Sequence, residues 1–171
     1  MNERVVVVNA GKMNYDHLLD FSVLSNDVQV YDDSTNAELI ERIQGATVVV
    51  TKEIPVGPEL LSQFPESVKL IVEAGTGYNN IDLDAARAKG ITVCNIPAYS
   101  TERVAHTAIM MLLNFASTMQ QQIGMLARGD RSNFTKHLQV PHTEVNGKTL
   151  GIIGAGHIGM AVVKVARALD M

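Results

Sequence analysis

Lys148-Thr-Leu-Gly-Ile-Ile-Gly-Ala-Gly-His-Ile-Gly159 reads as an apolar strand, a glycine turn and the first residues of a helix. Such a unit suits the pyrophosphate of a dinucleotide. Gly154 permits the tight turn, Gly156 lets backbone approach the phosphates, and Gly159 lets the helix pack closely on the strand. The unpaired amides at the helix start, on His157 and Ile158, then face the anion, and the helix dipole favours it. A glycine spacing alone is a weak signal, but the required context stands on both sides. Leu150, Ile152 and Ile153 supply the strand, and Met160-Ala-Val-Val-Lys-Val-Ala-Arg-Ala-Leu169 supplies the helix.

The position of this unit matters as much as its content. The sequence runs only to Met171, where that helix finishes. The expectation is the opening of a nucleotide-binding domain whose remainder is absent. The acidic residue that would grip the ribose hydroxyls is due about twenty positions on. It falls beyond the last residue, so NAD and NADP are not separable by motif.

Composition bounds the rest. With 171 residues and 46% hydrophobic content the chain can bury a real core, in one or two domains. A net charge of −4 gives no electrostatic reason to expect nucleic acid or an anionic membrane as partner. Cys94 is the only cysteine, which rules out an internal disulfide and fits a reducing compartment. The N-terminal Met1-Asn-Glu-Arg-Val-Val-Val-Val8 has no secretory layout, because its short apolar stretch runs straight into a strand. The longest apolar stretch, Val104 to Met119, is interrupted by His106, Thr107, Asn114 and Ser117 and falls short of a membrane span. A cytoplasmic protein is expected. His17, His137 and His142 have no metal-ligand spacing, and no metal site is expected.

Short β-branched runs alternate with helical stretches through the first hundred residues. Val5 to Val8, Val28 to Tyr31, Val48 to Thr51, Leu70 to Val72 and Ile91 to Cys94 read as strands. Several are apolar at consecutive positions, as strands covered on both faces are. Thr35-Asn-Ala-Glu38 has capping-box spacing, Gly57-Pro-Glu-Leu-Leu61 reads as a helix start, and Asp82 to Lys89 is a helix ended by Gly90. Alternation of this kind predicts an α/β fold with an open parallel sheet. Cys94, at the end of its strand, is expected to pack as a small buried apolar residue.

After Pro97 the pattern changes. Ser100 or Thr101 can cap one long helix to about Arg128, with Met110, Met111, Leu112, Leu113 and Met119 as its packing residues. Gly129-Asp-Arg-Ser-Asn-Phe134 then breaks it, and a polar loop leads to Lys148. A helix of that length can bridge two domains or supply part of a dimer contact. The boundary is expected at Pro97 to Ser100, giving units 1–99 and 100–171.

Four ordered blocks carry a resemblance. They are Glu73-Ala-Gly-Thr-Gly-Tyr-Asn-Asn-Ile-Asp82; Ala85-Ala-Arg-Ala-Lys-Gly-Ile-Thr-Val-Cys-Asn-Ile-Pro-Ala-Tyr-Ser-Thr101; Val104-Ala105; and Asn146 to Gly159. Together, from about Thr47 to the end, they resemble the D-isomer-specific 2-hydroxyacid dehydrogenases, with a likeness to the glycerate and hydroxypyruvate reductase type. The resemblance implies a flavodoxin-like substrate domain over 1–99, then the first part of a Rossmann NAD(P)-binding domain over 100–171, comprising the long helix, a loop and one βα unit. It implies hydride transfer between a nicotinamide cofactor, NAD favoured, and a small D-2-hydroxy acid or its 2-oxo acid. From the length of the helix, a homodimer through the long helix 101–128 is expected.

In this family the base is a histidine paired with a glutamate, and an arginine holds the substrate carboxylate. None of the three has a matching position here, so the 171 residues alone are expected to be inactive and to bind NAD weakly or not at all. By resemblance, the backbone amides of Thr76 and Gly77 would receive the substrate carboxylate, with Thr76 near the nicotinamide. The other reading of that segment is a plain turn needing glycine. Lys52, after the strand Val48 to Thr51, would steer or hold a carboxylate, or else is a solvated surface charge. Gly154, Gly156, His157, Ile158 and Gly159 would meet the pyrophosphate, the His157 side chain adding little. His106 departs from the glutamate or glutamine usual after Val-Ala, and reads as a solvated helix residue or a changed interdomain contact.

Two other functions fit the same residues. One is a non-catalytic NAD sensor like the corepressors similar to this family, marked by cofactor-driven dimerisation without turnover. The other is an inactive truncated product, marked by absence of nucleotide binding.

Overall fold

Five parallel strands in the order β2-β1-β3-β4-β5 form the sheet of the first unit in the computed structural model, which describes residues 3–171. The strands are β1 (Arg4–Val7), β2 (Asp27–Val30), β3 (Val48–Thr51), β4 (Leu70–Glu73) and β5 (Thr92–Cys94). Val5 is in register with Val28 on one side and Val48 on the other, and Val50 with Val72. This is the flavodoxin-like order, with its switch point between β1 and β3. Met1 and Asn2, the start of the N-terminal segment read above, lie outside the described residues.

The consecutive apolar positions are explained by burial on two faces. Val6, Val8, Val49 and Ile71 pack with Leu39, Ile43, Leu61 and Phe64 on one side, while Val5, Val7 and Val50 pack with Ala10, Phe21 and Val72 on the other. The helices between strands begin where their caps dictate. For α1 (Asn36–Arg42), Thr35 accepts from the Glu38 amide and the Glu38 carboxylate accepts from the Thr35 amide. α2 (Pro58–Ser62) has proline in its first turn. α3 (Leu83–Ala88) is capped by Asp82 and followed by Gly90 at φ +68°.

The chain divides into two compact units, 1–99 and 100–171. The second contains α4 (Thr101–Ala116), α5 (Met119–Ala127), the short α6 (Ser132–Thr135) and α7 (His157–Ala168), with α4 packed along α7.

Of the residues expected to pack along the long helix, Met110, Met111, Leu113 and Met119 are exposed, and three further sequence expectations are corrected. The single helix to Arg128 is two helices. Asn114 and Ser117 side chains bond back to the carbonyls of Met110 and Leu113, both at 2.8 Å, and Thr118 turns into the left-handed region at φ 48°. Thr143 then donates to the freed carbonyl of Ala116 at 2.8 Å, and the Thr118 hydroxyl donates to Pro141 at 2.6 Å. Side-chain competition for helix carbonyls ends the helix where hydropathy alone would carry it on. Second, the stretch Leu150 to Ile153 forms no ladder. An extended segment becomes a strand only by bonding to another, and among the described residues of this unit there is no second strand; Ile153 is fully exposed. Third, Cys94 is exposed rather than buried, because β5 is an edge strand.

Candidate functional site

The carboxyl ends of β1, β3, β4 and β5 carry polar residues immediately after apolar runs, and these interlock. Asn9, fully buried, clamps residue 52 from both sides: the Lys52 amide donates to Asn9 Oδ1 at 2.9 Å, and Asn9 Nδ2 donates to the Lys52 carbonyl at 2.6 Å. The Lys52 side chain is only 16% exposed. Its Nζ donates to the Tyr99 hydroxyl at 3.4 Å and lies 3.7 Å from the exposed Glu53 carboxylate. A Cβ added to Gly75 would stand 3.0 Å from Lys52 Nζ, so glycine at 75 admits the ammonium beside the turn.

That turn is tied to the next strand's exit. Ile96 donates its amide to the Gly75 carbonyl at 2.9 Å, Asn95 Nδ2 donates to the Thr76 carbonyl at 2.8 Å, and the Thr76 hydroxyl donates to the Ile96 carbonyl at 3.2 Å. Thr76 is half-buried and Gly77 exposed. Of the sequence-predicted residues, Lys52, Thr76 and Gly77 therefore lie together at the sheet edge where α/β ligands collect. Asn9, Glu73, Asn80, Asn95 and Tyr99 were not anticipated. The signal for Asn9 and Glu73 is a single polar residue closing a run of valines or isoleucines, which in a parallel sheet marks the carboxyl edge.

In the second unit the glycine turn has the geometry its spacing requires. Gly154 has φ +92°. A Cβ on Gly159 would lie 2.1 Å from the Gly154 carbonyl oxygen, a distance only glycine avoids. Gly156 is the N-cap of α7, with no side-chain cap bond, and a Cβ on it would meet nothing within 4 Å. The first amides of α7, on His157, Ile158 and Gly159, are thus left to whatever approaches the exposed face of Gly156. The His157 side chain is exposed. The donor set and open glycine face fit a pyrophosphate. His106 is exposed, 4.0 Å from Glu102 on the same helix. No helix among the described residues is long and apolar enough to cross a membrane.

Comparison with known proteins agrees with this architecture. Residues 5–146 match the family of the D-isomer specific 2-hydroxyacid dehydrogenase, catalytic domain. The chain is 34% identical over 139 residues to a glycerate dehydrogenase of Methylorubrum extorquens, covering 80% of this chain and 44% of that protein. It is 38% identical over 147 residues to a D-3-phosphoglycerate dehydrogenase of Methanocaldococcus jannaschii, covering 85% and 27%. Among solved structures, a D-lactate dehydrogenase of Aquifex aeolicus complexed with NAD and lactic acid superposes with a TM-score of 0.80 at 27% identity, covering 98% of this chain and 49% of that one. The chain thus spans less than half the length of each of these relatives. By the extent of the family match, it belongs to the D-isomer specific 2-hydroxyacid dehydrogenases.

Proposed function

We propose that this chain supplies the substrate-binding unit and the pyrophosphate-binding turn of a nicotinamide-dependent oxidoreductase that interconverts a small D-2-hydroxy acid and its 2-oxo acid. Residues 1–99 serve as the substrate domain and 100–171 as the first part of the nucleotide domain. When bound, a nicotinamide supplies the hydride acceptor or donor for C2 of the acid. The observation that carries the reading is the Lys52 ammonium held beside the Gly75–Thr76 turn. A carboxylate resting on the Thr76 and Gly77 amides there meets a positive charge that is mostly withdrawn from water, where its attraction is stronger than at the surface.

Gly154, Gly156, His157, Ile158 and Gly159 hold the cofactor pyrophosphate through backbone amides, and Thr76 is proposed as a further cofactor contact. NAD is favoured over NADP. The residues present contain no counterpart to the family's histidine–glutamate pair or carboxylate-binding arginine, so these residues alone are proposed not to turn over and to bind the cofactor weakly at most. The small acids named for relatives, glycerate and lactate, set the size of substrate proposed. We place the protein in the cytoplasm. The exposed Met110, Met111, Phe115, Met119, Ile123 and Leu126 make α4 and α5 the proposed homodimer face.

The test is a nuclear magnetic resonance titration of the 171-residue chain with glyoxylate and, separately, NADH. Glyoxylate is expected to shift the amides of Thr76 and Gly77, and NADH those of residues 156–159, each saturating only at high concentration. Shifts absent from both places reject the reading. A protein that joins this chain to the missing acid/base pair is expected to oxidise NADH with small 2-oxo acids.

A further inference from the structure

Glu73 ends β4 with its side chain fully buried, and nothing in the proposed chemistry uses it. Its two oxygens reach different loops. Oε1 accepts from the Glu53 amide at 2.9 Å, and Oε2 accepts from Asn80 Nδ2 at 3.0 Å. The same Asn80 nitrogen also donates to the Ile54 carbonyl at 2.8 Å. The pair therefore stitches residues 53–54, directly after Lys52, to the loop that follows the Gly75–Gly77 turn.

The stitched segment is strained. Glu53 is a non-glycine residue at φ +58°, a conformation that persists only where surrounding contacts over-determine it. Asn9 fixes the backbone on the Lys52 side, and Glu73 with Asn80 fixes it on the Ile54 side. Glu73 also faces Lys52 across Gly75. A Cβ on Gly75 would lie 3.0 Å from Lys52 Nζ and 3.3 Å from Glu73 Oε1. The buried carboxylate thus draws the ammonium toward the turn without forming a close ion pair that would occupy it. Among the described residues, a hydroxyl and one exposed carboxylate are what Nζ reaches directly, and an incoming anion can compete with both.

We infer that Glu73, bridged by Asn80, is the positioning residue for Lys52 in the carboxylate site proposed above. It touches no substrate. It sets both the backbone turn that aims Lys52 and the field that holds the ammonium beside Gly75. This inference rests on the substrate reading only for its consequence, since the placement of Lys52 is measurable without any ligand.

The experiment compares the 171-residue chain with Glu73→Gln. The side-chain shape is kept, but one oxygen becomes an NH2 group, which cannot accept from either donor. Proximity of the Lys52 ε-protons to the Tyr99 ring is read as a nuclear Overhauser contact, and affinity is read by glyoxylate titration. The contact is expected in the wild-type chain and lost in Glu73→Gln, and glyoxylate affinity is expected to fall about tenfold. In a Lys52→Met background Glu73→Gln is expected to change affinity no further, because the two act as one unit.

A folded Glu73→Gln protein that keeps the Lys52–Tyr99 contact overturns the inference, as does an equal loss of affinity with and without Lys52. If Glu73→Gln does not fold, Asn80→Ala tests the bridge from its partly exposed end. Loss of the same contact supports it and retention overturns it. A wild-type chain that shows no response to glyoxylate, but whose Lys52 contact depends on Glu73, keeps the positioning role and rejects the substrate reading.

Discussion

Gly159 is seated on the backbone of Gly154: a Cβ at position 159 would come 2.1 Å from the Gly154 carbonyl oxygen and 3.1 Å from its carbon. The obstacle is backbone, so no rotamer change relieves it. Gly159→Ala must open the turn or tilt α7, and is expected to destabilise the second unit by about 3 kcal/mol. Urea denaturation followed by amide signals of residues 154–168 checks this. Unchanged stability would mean the turn is looser than its geometry implies.

Gly156→Ala separates packing from binding. The residue has φ −76° and ψ −162°, which alanine adopts readily, and a Cβ there meets no protein atom within 4 Å. Stability is expected to stay within about 0.5 kcal/mol of wild type. If phosphates approach this face, the NADH-induced shifts at 156–159 should disappear. An alanine variant that still shows them would place the pyrophosphate elsewhere.

The contrast between these two glycines shows what the sequence disclosed. Spacing marked both residues, because only small backbone permits a tight strand–turn–helix junction. The sheet was legible for a similar reason: burial on two faces demands runs such as Val5–Val8. Less visible was anything decided between distant residues. Asn9 reaches Lys52 over 43 positions, and Glu53 reaches Glu73 over 20, with no periodicity to announce either. The break at Thr118 depends on a loop carbonyl 23 residues on. The supposed strand at Leu150–Ile153 is apolar enough to be one, but a ladder is a property of two segments.

Asn9 carries the first of those distant contacts, and its removal leaves the Lys52 amide and carbonyl without their partner in a buried setting. Asn9→Ala is expected to cost about 2–3 kcal/mol. For a unit of this size that lowers the midpoint of thermal unfolding by roughly 10–20 °C. Asn9→Asp should do no better, because it keeps the acceptor for the Lys52 amide but sets an oxygen against the Lys52 carbonyl. Calorimetry of both variants decides it; a benign Asn9→Asp would show that the donor arm contributes little.

Thr118 holds the helix break by offsetting an unfavourable backbone with its hydroxyl, which donates to the Pro141 carbonyl at 2.6 Å. Thr118→Val keeps the shape and the left-handed cost but loses the bond, and is expected to destabilise by about 1–2 kcal/mol. Thr118→Gly loses the same bond yet relieves about 1 kcal/mol of backbone strain, so it should be near neutral. Equal losses for valine and glycine would show that strain has no part in the break.

Glu38 supplies a pH-dependent element. Its carboxyl is held below the usual glutamate range, first by the hydrogen bond from the Thr35 backbone amide, then by the Thr35 hydroxyl, then by the nearby Arg42 guanidinium. The folded value lies below the unfolded one, so the contribution is present at neutral pH and is lost as pH falls through the folded value. Glu38→Ala is therefore expected to lower the urea midpoint at pH 7, with the difference shrinking as the solution is taken into acid and the carboxylate is protonated. Glu38→Gln should retain part of the capping box at every pH, because glutamine can accept the same amide but carries no charge for Arg42. The measurement is a set of urea titrations of the three proteins across that range. An alanine deficit that persists undiminished in acid would assign the effect of Glu38 to helix propensity rather than to its ionised carboxylate.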